Sequence, residues 1–255
     1  MTSLQWNAFC IFRDSFRRKV QEWSVHSKEL IPLQIQAAHG NTPPYPLETA
    51  IVYNRALDNI TEENDIRLII IGDNPGKDEQ LACNNEYLVG QSGKIAEGFF
   101  HRTPELNTDF RKNVIILNKT PIHTAKTAHL KKLQKADTQS ALLIRETQIW
   151  MAEQTALLHQ SLLQYNTKNE PLPQLWLVGY AELKDNGIFV PYRDKLTASY
   201  KADSSAWEYV FAFHHFSMNR FLIDLHSWQK AHPEKGIKQS LEELGRIHRR
   251  ELFGK

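Results

Sequence analysis

Four short segments carry residue types suited to chemistry: Gly72-Asp73-Asn74-Pro75-Gly76, Asn118-Lys119-Thr120-Pro121, Gly179-Tyr180, and His214-His215 followed by Phe216, Ser217, Met218, Asn219 and Arg220. A carboxylate such as Asp73 can take a proton from water, whereas the amide of Asn74 can only hold a water through its carbonyl oxygen. Asp and Asn ahead of a proline also cap turns for local reasons, so a turn role stands beside the chemical one for both residues. Asn118 presents one donor and one acceptor, the pattern that pairs with an imide edge, and it also suits an ordinary strand-end turn. The adjacent histidines fall where an apolar run turns polar. Strand alternation puts His215 on one face and leaves His214 to a structural role on the other.

Several chemistries fail on spacing. Gly72 to Lys77 lacks the four residues a phosphate-binding loop needs between its glycines, and Asp78 would repel a phosphate there. His123 and His129 have no nearby cysteine or acidic ligand and match no zinc spacing, so no metal is expected. Cys10 and Cys83 are too few for an iron–sulfur cluster or a four-cysteine zinc site, which leaves free thiols and no expected cofactor.

The four segments each follow a short apolar run: 67–71, 113–117, 174–178 and 208–213. Continuous rather than alternating apolarity predicts strands buried on both faces, as in a parallel sheet covered by helices. The intervening stretches are long enough for crossovers. The carboxyl ends would then share one edge, where open α/β sheets place ligands. Trp6, Phe9, Phe12, Phe16, Val20 and Trp23 form one helical stripe, the proline-rich 40–46 stretch ends that element, and 141–165 reads as a further helix. A last helix is expected over 236–252, with Arg246, Arg249 and Arg250 on it.

A chain of 255 residues with net charge +2 and 41% hydrophobic residues can bury a real core and is neither disordered nor fibrous. The expected class is a single three-layer α/β domain with a short, mostly parallel four-stranded sheet. It has an N-terminal helical extension (1–46), a core (64–230) and a C-terminal basic helix (236–255). The net charge announces no polyanion partner, so basic surface must be local. Lys119, Lys126, Lys131, Lys132 and Lys135 occur without an intervening acid and are read as phosphate-steering cations starting at the functional edge. The charged residues before Val20 break any signal-peptide core and no apolar run spans a membrane, so a soluble, cytoplasmic, monomeric protein is expected.

Taken in order, these segments resemble the uracil-DNA glycosylase superfamily over roughly 67–220. Gly72-Asp-Asn-Pro-Gly76 is similar to the Gly-x-Asn-Pro-Gly of its mismatch-specific and single-strand-selective members, which lack an iron–sulfur cluster. Tyr87-Leu-Val-Gly90-Gln-Ser-Gly93 is similar to a Pro-Phe-Val-Gly-Arg-x-Gly stretch, Val114-Ile-Ile-Leu-Asn118 to a segment whose asparagine reads uracil, and His215-Phe216-Ser217 to a His-Pro-Ser motif. The resemblance implies a monofunctional DNA-repair enzyme that hydrolyses the N-glycosidic bond of uracil or a related damaged base.

On that reading Asn74 holds the attacking water, with Asp73 as the alternative base, and His215 stabilises the departing base anion. Gly72, Tyr87, Leu88 and Asn118 surround the flipped base. Ser217, Met218 and Arg220 meet DNA, helped by Lys126, Lys131 and Lys132. Leu88 stands where an aromatic commonly stacks and Phe216 replaces a proline, while Tyr87 is either a compensating pocket group or a core tyrosine. Two other functions remain open: a catalytically weak DNA-binding protein of the same fold, and a hydrolase of small nucleosides.

Overall fold

The computed structural model describes residues 1–167, 171–200 and 204–254. In chain order its elements are α1 (Ser3–Trp23), α2 (Ser27–Ala38), β1 (Leu68–Gly72), α3 (Gln91–His101), β2 (Val114–Asn118), α4 (Thr127–Ala136), α5 (Thr138–Gln164), β3 (Gln174–Val178), α6 (Val190–Ser199), α7 (Ser204–Trp207), β4 (Val210–Phe213), α8 (Arg220–Ala231) and α9 (Ile237–Phe253). The four strands form one sheet of order β2-β1-β3-β4 with every pairing parallel. Every residue of β1 and β2 is buried, as expected when helices cover both faces of a parallel sheet. The architecture is a three-layer α/β fold.

On one face Trp176 stacks on Phe100 of α3 and Phe221 of α8, at centroid separations of 5.7 and 6.1 Å. α9 comes close to β4 because Gly245 has no side chain: a Cβ there would lie 2.7 Å from Phe213 and 2.8 Å from Phe211. The glycine that interrupts the helical pattern of the sequence is thus required by packing. The helices α1, α2, α4, α5 and α6 form a second packed group, centred on α5. α1 starts at a capping box on Thr2, in which the hydroxyl accepts from the Gln5 amide while the Gln5 side chain accepts from Thr2. Its buried stripe of Phe9, Phe12, Phe16, Val20 and Trp23 meets α5, where Trp23 packs edge-on against Trp150 and donates to Glu146.

Both rims of the sheet are covered. Along β4 the outward carbonyls of Val210 and Ala212 accept from Arg249 and His248 of α9, at 3.2 Å each. Beyond β2, residues 50–54 run alongside: Ile51 bridges Ile122 antiparallel, and the Asn54 amide donates to Ile116 at 2.8 Å. No helix among the described residues is long and apolar enough to cross a membrane.

Candidate active site at the strand ends

The register sets Gly72 of β1 opposite Asn118 of β2, so the segments that follow both strands leave the sheet side by side. Asn118 lies over Gly72, and a Cβ on that glycine would sit 2.4 Å from the Asn118 Oδ1. The amide nitrogen of Asn118 is buried with no hydrogen-bond partner among the described residues. An unpaired buried donor costs about 1–3 kcal/mol, so its persistence at a strand end marks a place where an acceptor from outside would be welcome.

One residue further, Asp73 meets Lys119. The ammonium is fully buried and donates to Asp73 Oδ1 at 2.7 Å, to the Val178 carbonyl at 2.6 Å and to the Gly72 carbonyl at 3.2 Å. It thereby ties the ends of β1, β2 and β3 together. Burial pulls the Lys119 pKa down, and the Asp73 charge opposes that. The other Asp73 oxygen accepts from the Thr127 hydroxyl at 3.2 Å. After β3, Gly179 takes a left-handed φ of +84°, and a Cβ there would fall 2.4 Å from Asp73 Oδ1. Only glycine lets the β3 exit approach the carboxylate so closely.

Beyond β4, the His215 ring feels both members of this ion pair, and burial lowers its pKa. The imidazole is therefore neutral near pH 7. Its Nδ1 accepts from the Ser217 backbone amide at 3.0 Å and lies 2.8 Å from the Ser217 hydroxyl, which leaves the proton on Nε2. Asn74 turns its amide nitrogen inward, to Thr124 Oγ1 at 2.9 Å and the Pro75 carbonyl at 3.2 Å, so its carbonyl oxygen is the end that can hold a water.

No protein-family model, curated protein or solved structure matches the chain. The site's chemistry therefore rests on its own geometry, in which Asp73, Asn118 and His215 gather at one edge with Asn74 on the adjoining turn.

Other expected site residues sit differently. Tyr87 is fully buried and donates to the Val52 carbonyl at 2.6 Å, so its ring has no free face for a base; it is a core tyrosine beside the β2 rim. Leu88 is also buried, at a φ of +53°. The lysine run is not a row of free cations. Lys119 is internal, Lys131 pairs with Glu182 at 3.0 Å, and Lys126 and Lys132 donate to the Asn41 and Ala37 carbonyls just after and within the last turn of α2. Lysines near a helix C-terminus satisfy its unpaired carbonyls, which is a local task. Arg249 likewise serves the β4 rim. Ser217 orients His215 through the contacts that a phosphate would otherwise take. Met218 and Arg220 remain exposed, and Met218 and Asn219 both hold left-handed φ values, +52° and +55°.

Glu79 escaped the sequence reading. It is buried, accepts from the Gly76 amide at 3.0 Å and the Leu88 amide at 3.0 Å, and so ties the turn after β1 to the 87–93 segment. Burial raises its pKa to about 7 against the pull of those two amides. Nothing in the Lys-Asp-Glu-Gln sequence around it distinguishes it from a solvated turn. Two cavities among the described residues lie elsewhere. One of about 270 Å³ opens at the opposite end of the sheet, by Arg67, Leu68 and Trp176, and another lies under 38–47.

Proposed function

We propose that the chain is a DNA glycosylase that hydrolyses the N-glycosidic bond of uracil or a related base. The observation that carries this reading is the buried amide nitrogen of Asn118, without a partner among the described residues, at the same sheet edge as a neutral His215 whose proton sits on Nε2. A uracil edge offers O4 and the N3 imide to an asparagine amide, one acceptor and one donor, and cytosine reverses that pattern. Bond cleavage places negative charge on the leaving base and positive charge on the sugar. A donor aimed at the base oxygen is stronger in the transition state than in the ground state.

Asn74 is the better holder of the attacking water, because Asp73 is committed to Lys119 and Thr127. An amide that orients water without accepting its proton makes for slow turnover. Met218, apolar and exposed on a strained turn, suits a wedge into the base stack, with Arg220 beside it for phosphate. The engagement of Lys126, Lys131 and Lys132 within the fold favours one second reading, a hydrolase of free nucleosides that needs no phosphate contact.

End-labelled single- and double-stranded oligonucleotides carrying uracil, hypoxanthine or mismatched thymine, treated with alkali after incubation, test the proposal beside free deoxyuridine. Alkali-labile sites are expected in uracil-containing DNA. His215→Ala is expected to slow their formation by about 10²–10³-fold, the usual effect of deleting one transition-state donor. Asn118→Asp should lose uracil while remaining folded. Release from deoxyuridine alone supports the second reading, and no base release from any substrate overturns both.

A further inference from the structure

Behind the proposed catalytic edge, three side chains from three elements converge. His214 follows β4, Asp224 lies on α8 and His248 on α9, with one ligand atom from each within 4.8 Å of the others. The His248 Nε2 stands 3.6 Å from Asp224 Oδ2. Two ligands on a tetrahedral zinc ion are separated by about 3.3 Å, given bonds near 2.0–2.1 Å, so this pair needs little closure.

The surroundings orient the rings as well. His248 Nδ1 donates to the Ala212 carbonyl at 3.2 Å, which fixes the tautomer and leaves the Nε2 lone pair facing the cluster. A backbone carbonyl on the far nitrogen is the usual support for a metal-bound histidine. Tyr180 stacks on His248 at 4.5 Å and meets His214 edge-on at 4.7 Å, holding both imidazoles in place. The nearby charges are mixed: Lys184 lies over the Tyr180 ring and pairs with Glu251 at 3.5 Å, and Arg220 is close enough to act on His214.

We propose that His214, Asp224 and His248 bind one first-row transition-metal dication of the zinc class. Two imidazoles and one carboxylate suit such an ion, and three protein ligands leave a fourth position for water. The ion would tie β4, α8 and α9 together on the side of the chain opposite His215. It would thereby fix the turn from His214 to Arg220 and, through Tyr180, the turn at Gly179. The sequence expectation of no metal weighed His123, His129 and the two cysteines, and did not consider these three residues, which lie far apart along the chain.

The test is titration of untagged, chelator-treated full-length protein with Zn²⁺ by calorimetry, paired with thermal unfolding. Saturable binding of one ion and a raised Tm are expected. Asp224→Asn and His214→Ala, both at partly exposed positions, should each weaken the affinity at least tenfold, while His39→Ala on the distant α2 end leaves it unchanged. The readout is independent of any glycosylase activity. Absence of saturable binding, or an affinity unchanged in both Asp224→Asn and His214→Ala, overturns the proposal.

Discussion

Replacing Lys119 by methionine would strand the Asp73 carboxylate at a site where its side chain is 10% exposed and the ammonium's place is fully buried. Breaking a buried pair from one side costs about 3–5 kcal/mol, whereas removing both charges together is far milder. Urea unfolding should therefore show a large loss for Lys119→Met and substantial recovery in Lys119→Met/Asp73→Asn. Additive losses in the double variant would show that the two do not act as a pair. The sequence contained a clue: Lys119 is the only charged residue between Val114 and His123. Counted along the chain it joins the surface lysines; its partner becomes visible only once β1 and β2 are in register. The placing of Asn118 and His215 at strand ends was legible because each follows an unbroken apolar run. Thr124 and Glu79, and the contact of Ser217 with His215, were not legible, since each involves a neighbouring side chain or amide that only the folded chain brings near.

At the level of elements, the close approach of the β3 exit to Asp73 makes Gly179→Ala a sharp probe. The left-handed backbone alone costs a non-glycine residue about 1–2 kcal/mol, and the added methyl must also push Asp73 off Lys119. Thermal unfolding should register a loss larger than that backbone penalty. Gly76→Ala, where a Cβ would meet nothing within 4 Å, should stay close to wild type. The strands themselves were readable because each is a short unbroken apolar run, and the observed bounds differ from the expected ones by at most two residues. α1, α5 and α9 followed equally from their stripes. Strand order and the segment lining β2 were hidden: residues 50–54 contact residues some 60–70 positions away, a pairing no local pattern encodes.

For the molecule as a whole, buried titratable groups set how stability follows pH. His123 and His159 are held neutral, with pKa values lowered to about 4 by burial. Their contribution is complete above the unfolded pKa near 6.5 and is lost as pH falls toward 4, by about 3 kcal/mol each. Glu79 runs the other way. Its pKa is raised to about 7, so its contribution is present below about 4.5 and disappears as pH climbs to 7. Urea midpoints should rise from pH 4 to about 6.5 and then level off or dip. Glu79→Gln should remove the opposing leg, so that the gap between variant and wild type shifts in the variant's favour between pH 4.5 and 7. Parallel curves over that interval would show that Glu79 does not titrate there.

The clasp of α9 on the last strand also bears on how the molecule keeps to itself. A naked β4 would present the carbonyls of Val210 and Ala212 as a template for a strand from another molecule, so removing residues beyond Gly236 would invite sheets to grow from chain to chain. Arg249 and His248, by holding those carbonyls, work as a guard against self-association.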